Sequence, residues 1–229
     1  MNLYASHLHR TRIWDLPTRL FHWALVICVI GLVISGNVGG SAMLWHFRLG
    51  QAVLTLLLWR ILWGLVGGHW SRFAHFKLHP RDALDELRGR TDEGLHTGHG
   101  PLGSLAVLAF LLILLAQVGT GLLSDDEIAF AGPLTHLVSA STVSQATGYH
   151  TQIGKLLLLA LVLIHLLAII WHTFKGRPLV GAMVHGDKPL EQPMPATRDD
   201  ARSRLIALIL LGLCLALSSW LFSLAPRLV

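Results

Sequence analysis

Five stretches of this 229-residue chain are apolar and long enough to cross a lipid bilayer. That pattern restricts the fold more than any other feature. A spanning helix needs about 20 mostly apolar residues, because the hydrocarbon core is about 30 Å thick and a helix rises about 1.5 Å per residue. The stretches run from about Leu20 to Gly36, His46 to Gly67, Leu102 to Leu123, Thr151 to Phe174 and Leu205 to Leu224. Inside a bilayer no water pairs with the backbone, so such segments form helices whose hydrogen bonds are internal. The expected fold is all-α: an integral membrane helical bundle with a four-helix core and a fifth transmembrane helix appended. The segment Gly176 to Asp200 is rich in Pro and charge and reads as a cytoplasmic linker. Residues 1–188 therefore read as the four-helix membrane domain, and 189–229 as linker and fifth helix.

The charges set an orientation. Arg10, Arg12 and Arg19 precede the first helix, and Arg72, Lys77, Arg81, Arg88 and Arg90 separate the second from the third. Lys175, Arg177, Lys188, Arg198, Arg202 and Arg204 separate the fourth from the fifth, whereas Asn37–Trp45 and Ser124–His150 hold no Lys or Arg. Basic residues are retained on the cytoplasmic side, so the N-terminus is expected in the cytoplasm and the C-terminus outside. An odd number of spans requires the same arrangement. The net charge of +5 follows from those loops and implies no nucleic-acid partner. The residues before the first helix lack the pattern of a cleaved signal peptide, so that helix is expected to be retained.

Histidine is the unexpected component, with 14 in the chain. Ionisable groups inside membrane spans are costly and usually functional, and a neutral imidazole is a common axial ligand of haem iron. His22 lies near the cytoplasmic start of the first helix, His46 and His150 near the outer starts of the second and fourth, and His165 deeper in the fourth. Fifteen residues place His165 about 22 Å inward of His150 and within about 60° of its face. The histidines thus sort into an outer pair, His46 with His150, and an inner pair, His22 with His165. Two pairs at two depths match two haems stacked in a four-helix bundle. A single such histidine could equally be interhelical hydrogen-bond glue, and His172 competes for the inner ligand. Both cysteines, Cys28 and Cys214, lie in apolar runs, and no Cys-x-x-Cys-His motif for covalent haem occurs.

Other residues fit around these pairs. Arg19 and Arg60 could hold the propionates of an inner haem, and Arg48 and Lys155 those of an outer one, since a guanidinium suits a carboxylate; Arg19, Arg48 and Lys155 could also simply snorkel. Gly50 and Gly154 stand four residues after His46 and His150, on the same helix face, where a missing side chain admits a flat macrocycle or close helix packing. Trp59 and Trp63 read as interface anchors. Asp125, Asp126 and Glu127 form an acidic outer turn that is either solvated or a dock for a basic partner.

The stretches that carry these residues resemble the bacterial cytochrome b561 family, which includes the b-type cytochrome subunit of nickel–iron hydrogenases. They are IWDLPTRLFHWALV (13–26), HFRLGQAVLTLLLWRILWGLVG (46–67), HTGHGPLGSLAVLAFLLILLAQVGTGLL (96–123), HTQIGKLLLLALVLIHLLAIIWH (150–172) and LVGAMVHGDK (179–188). The resemblance implies two non-covalent haems b, held by one histidine from each of helices one and two and by two from helix four, at positions matching His22, His46, His150 and His165. It differs in one respect: the family's two helix-four ligands commonly stand fourteen apart, and here they stand fifteen apart.

The expected function is electron transfer in the bacterial inner membrane, between the quinone pool and a redox partner such as a hydrogenase or a c-type cytochrome. Lipid, quinone and that partner are the expected contacts, with a homodimer left open. The rivals are a self-contained membrane oxidoreductase acting on superoxide or ferric iron, and a metal or proton transporter with histidine relays.

Overall fold

In the computed structural model, residues 9–90, 97–177 and 179–225 are described. Among the described residues, five helices are long and apolar enough to span a membrane, and the chain is an all-α, multi-pass membrane protein. These are α1 (Leu16–Val38), α2 (Met43–Val66), α4 (Pro101–Gly121), α5 (Ala140–Phe174) and α7 (Ala201–Ser223). Between them lie the short helices α3 (Pro80–Leu87) and α6 (Val180–His185) and two strands, β1 (His9–Arg12) and β2 (Asp187–Leu190).

The helix starts follow local chemistry. Asp15 precedes α1, and its Oδ1 accepts the Thr18 N–H at 2.7 Å, an N-cap bond that satisfies one of the first free amides. Asp200 does the same for α7 through the Ser203 N–H at 2.8 Å. Pro101 opens α4, where its missing N–H costs nothing. α5 begins some eleven residues before the apolar run does. Ser139 caps it, its side chain accepting the Thr142 N–H at 3.2 Å, and the polar stretch that follows is helical on propensity and capping rather than on hydropathy. His150 therefore lies within a helix and not at its start.

Two compact units emerge. The described residues of Met1–Leu20, Ile61–Leu108 and His165–Ala207 form the first; those of Phe21–Arg60, Ala109–Ile164 and Leu208–Val229 form the second.

The first unit is organised by a fully buried carboxylate. Asp15 accepts Ser71 Oγ at 2.8 Å and the Trp63 indole N–H at 3.3 Å, besides Thr18. Gly68 lies so close to it that a Cβ would stand 2.6 Å from Asp15 Oδ2. Trp63, 1% exposed, is thus a donor within the protein and not the interface anchor its sequence position suggested. Beside it, Ile13, Trp14, Trp70, Ala182 and Leu190 form an apolar cluster. The expected linker is folded onto this cluster. β2 pairs antiparallel with β1, His9 opposite Leu190 and Arg12 opposite Asp187. Trp70 donates to the Pro195 carbonyl at 2.8 Å and Thr197 N–H to that of Arg12 at 2.7 Å. Arg12 bridges Asp187 at 2.6 Å and Asp199 at 3.0 Å, and Arg204 joins Asp199 at 3.0 Å. Burial alone would raise the Asp199 carboxyl, but the Arg204 hydrogen bond, the Leu16 N–H and the Arg204 and Arg12 charges outweigh it and hold it below its usual value.

In the second unit α7 is tied to α2. Thr55 and Ser218, both buried, share a hydroxyl bond of 2.7 Å, and Gln51 donates to Ser219 at 3.0 Å. Paired hydroxyls of this kind hold membrane helices together where apolar contact alone distinguishes poorly between protein and lipid. Trp59 is also buried, stacked on Phe21 at 5.7 Å, again not an interface anchor.

Candidate functional site

Two of the histidines singled out in the sequence meet in the second unit. The His46 ring of α2 and the His150 ring of α5 lie with centroids 6.0 Å apart, planes crossed at 84°. The neighbouring backbone fixes the tautomer of both. His150 Nδ1 is 2.8 Å from the Gln117 carbonyl oxygen, and His46 Nδ1 is 3.1 Å from that of Leu32. A carbonyl can only accept, so each Nδ1 carries its proton and each Nε2 presents a lone pair. Ser35 Oγ, itself bonded to the Gly31 carbonyl at 2.7 Å, adds a contact to His46 Nδ1 at 3.3 Å.

Glycines back both rings. A Cβ on Gly121 would stand 2.8 Å from His150 Cε1, and one on Gly36 3.1 Å from His46 Cε1. Neither glycine was singled out in the sequence, since nothing local to it reports which side chain packs there.

This spacing fits a metal group that the two histidines would hold between them. A metal–imidazole bond is about 2 Å long and a ring nitrogen lies roughly 1.1 Å from the ring centre, so two imidazoles on opposite sides of one ion hold their centres about 6 Å apart. The observed separation is 6.0 Å, with the donating nitrogens turned to the backbone as metal-ligating histidines usually have them. Haem iron can take two protein ligands, as it does in electron-transfer cytochromes. Among the described residues, no three of His, Cys, Asp and Glu converge as a bare-metal site would require.

Around His150 the helix is irregular. Tyr149–Gly154 is a π turn, and the Gln117 side chain crosses it, Nε2 donating to the His150 carbonyl at 2.8 Å. A Cβ on Gly154 would run into Gln117 Oε1, whereas nothing lies within 4 Å of one on Gly50.

The remaining candidates are dispersed. His22 falls in the second unit, edge-on to Trp23 at 5.0 Å, and His165 in the first. His172, seven residues further along α5, is half-buried. Arg60 is 2% exposed in α2. Arg19 donates to the Val184 carbonyl at 2.6 Å and approaches Asp199 at 4.0 Å. Arg48 is exposed over the Trp45 ring at 5.1 Å, and Lys155 is half-buried at the end of the π turn. The acidic turn is an ordered loop: Asp126 Oδ1 accepts the N–H groups of Ile128, Ala129 and Phe130 at 2.8–3.0 Å, which lowers its carboxyl below the usual range.

Residues 13–186 match the family described as prokaryotic cytochrome b561. A probable Ni/Fe-hydrogenase B-type cytochrome subunit from Bradyrhizobium diazoefficiens is 23% identical, the match covering 77% of this chain and 85% of that protein. Its namesake from Azotobacter vinelandii is 24% identical over 80% of this chain and 90% of its own length. The probable Ni/Fe-hydrogenase 1 B-type cytochrome subunit of Escherichia coli K12 is 25% identical over 55% and 66%. No solved structure matches the chain significantly.

Proposed function

The chain belongs to the prokaryotic cytochrome b561 family and is a membrane b-type cytochrome of electron transfer; from that premise we propose that it holds two haems b and carries electrons between the quinone pool and a redox protein of the hydrogenase kind. The observation that carries the haem assignment is the His46–His150 pair, with its spacing of 6.0 Å and both Nδ1 protons engaged by backbone. These two would hold the outer haem, and His22 and His165 would hold the inner one. Bound haem would supply a reversible one-electron site at each level.

The residues of the chain do the rest. The Leu32 and Gln117 carbonyls hold the two rings in one tautomer and one orientation. The apolar helices keep the pair away from water. Buried Arg60 and half-buried Arg19 are the cations proposed for inner propionates, and Arg48 and Lys155 for outer ones. Residues 1–188 would form the di-haem domain, and 189–229 the linker and fifth helix. The protein is proposed to lie in the bacterial inner membrane, N-terminus in the cytoplasm and C-terminus in the periplasm, which the basic residues support. The hydrogenase as partner rests on the relatives' names.

The test is a haem count on purified protein with reduced-minus-oxidised spectra. Wild type should hold two haems per chain, and His46→Ala and His150→Ala should each lose the same one. A wild-type count of one, or two haems retained in either variant, would sink the pairing.

A further inference from the structure

Gln117 lies on α4, a helix that supplies none of the proposed ligands, yet it touches His150 twice. Its own carbonyl takes the His150 Nδ1 proton, and its side-chain Nε2 donates to the His150 carbonyl, each at 2.8 Å. The amide orientation is fixed by chemistry, because an oxygen in that position would face another oxygen. Its Oε1 is buried, against the site where Gly154 lacks a side chain.

What Gln117 grips is the π turn. Such a turn carries one residue more than an α turn and displaces part of the i→i−4 ladder, so its carbonyls need other donors. Without a compensating contact an isolated π turn relaxes towards α geometry. Tyr149–Gly154 thus takes up one residue more than an α turn would, where α5 carries His150.

We infer that Gln117 is a positioning residue: by holding the π turn it keeps His150 in register as a haem ligand while absorbing the additional residue on α5. This rests on the di-haem reading above. Three features support it together: the irregular turn, the amide donor aimed at its carbonyl, and the glycine that makes room for that amide.

The experiment uses the full chain in detergent and three proteins: wild type, Gln117→Leu, and Gln117→Leu with Gln152 deleted. Gln152 is exposed in the middle of the turn, so its removal takes out the extra residue and lets the turn close as α helix. The readouts are haem per chain and the midpoint potential of each haem. Gln117→Leu should fall from about two haems towards about one, with the survivor keeping its potential. The deletion should bring the count back without restoring glutamine. A general packing defect would be worsened, not cured, by losing a residue. Gln117→Leu retaining both haems at unchanged potentials overturns the inference, as does failure of the deletion to recover any haem. A wild-type count of one instead defeats the di-haem reading itself, whatever the variants do.

Discussion

Gly121→Ala isolates the crowding behind the His150 ring. The new Cβ would stand 2.8 Å from Cε1 and 3.1 Å from Nδ1, where ordinary contact begins near 3.4 Å. The ring must therefore retreat by about 0.6 Å, which is roughly three times the tolerance of about 0.2 Å expected of a metal–ligand bond. Retreat also stretches the 2.8 Å bond to the Gln117 carbonyl. Disturbing an outer-shell partner of a metal-bound histidine costs about 10–100-fold in affinity, or about 1.4–2.7 kcal/mol. The proper control is on the same helix: a Cβ on Gly119 meets nothing within 4 Å, and alanine in a helix interior is favoured over glycine by about 0.5–1 kcal/mol. Haem loss to a scavenging apoprotein would be timed for both variants. Gly121→Ala should release one haem about 10–100 times faster than wild type, and Gly119→Ala should not. Equal release from the two would refute the argument that this glycine is reserved for the ligand ring.

Four other expectations are open to test. His165→Ala should lose the inner haem and His172→Ala should keep it, by haem count; the reverse pattern moves the ligand about two turns along α5. Asp15→Ala leaves buried donors from Thr18, Ser71 and Trp63 without their acceptor and should lower stability by about 2–5 kcal/mol, read as thermal unfolding in detergent. Asp199 has a lowered carboxyl, so the stability it contributes is present above the ordinary carboxylate range and is lost as pH falls below about 4; protease cutting within 187–200 should rise there in wild type and rise by less in Asp199→Asn, where the Arg12–Asp187 pair is still left to titrate. Glu127→Lys tests docking without disturbing the loop, which Asp125 and Asp126 hold through their backbone bonds; it should slow electron exchange with a basic partner at low salt, and an unchanged rate removes the turn from any docking role.

The five spans were readable because hydropathy over twenty residues is a collective signal that no single substitution hides. The start of α5 was not, since Ala140–Gly148 carries Ser, Thr and Gln and is held by the Ser139 cap rather than by burial. The β1–β2 pair escaped for a similar reason: HRTR and DKPL show no alternation, and their pairing depends on Arg12 meeting Asp187. At the site, histidines announce themselves by being improbable in a membrane. Gly36, Gly121 and Gln117 do not, because a glycine or glutamine in a span has many uses and its partner is chosen by tertiary proximity. One trace did exist. Fifteen α-helical residues leave His165 about 60° off the His150 face, and a π turn covers the start of that interval.

The β1–β2 clasp also dictates an order of biogenesis. Arg12 and its partner Asp187 are 175 residues apart in the chain, and a ribosome adding roughly 5–20 residues per second needs about 10–35 s to bridge that interval. During that time the segment before α1 has emerged while its strand partner does not yet exist, although most of the spans are already available for insertion. Closing the clasp is thus a late checkpoint on one face of the assembly: a chain that stalled before Asp187 would contain all four proposed ligands and still leave its N-terminal strand as an open edge.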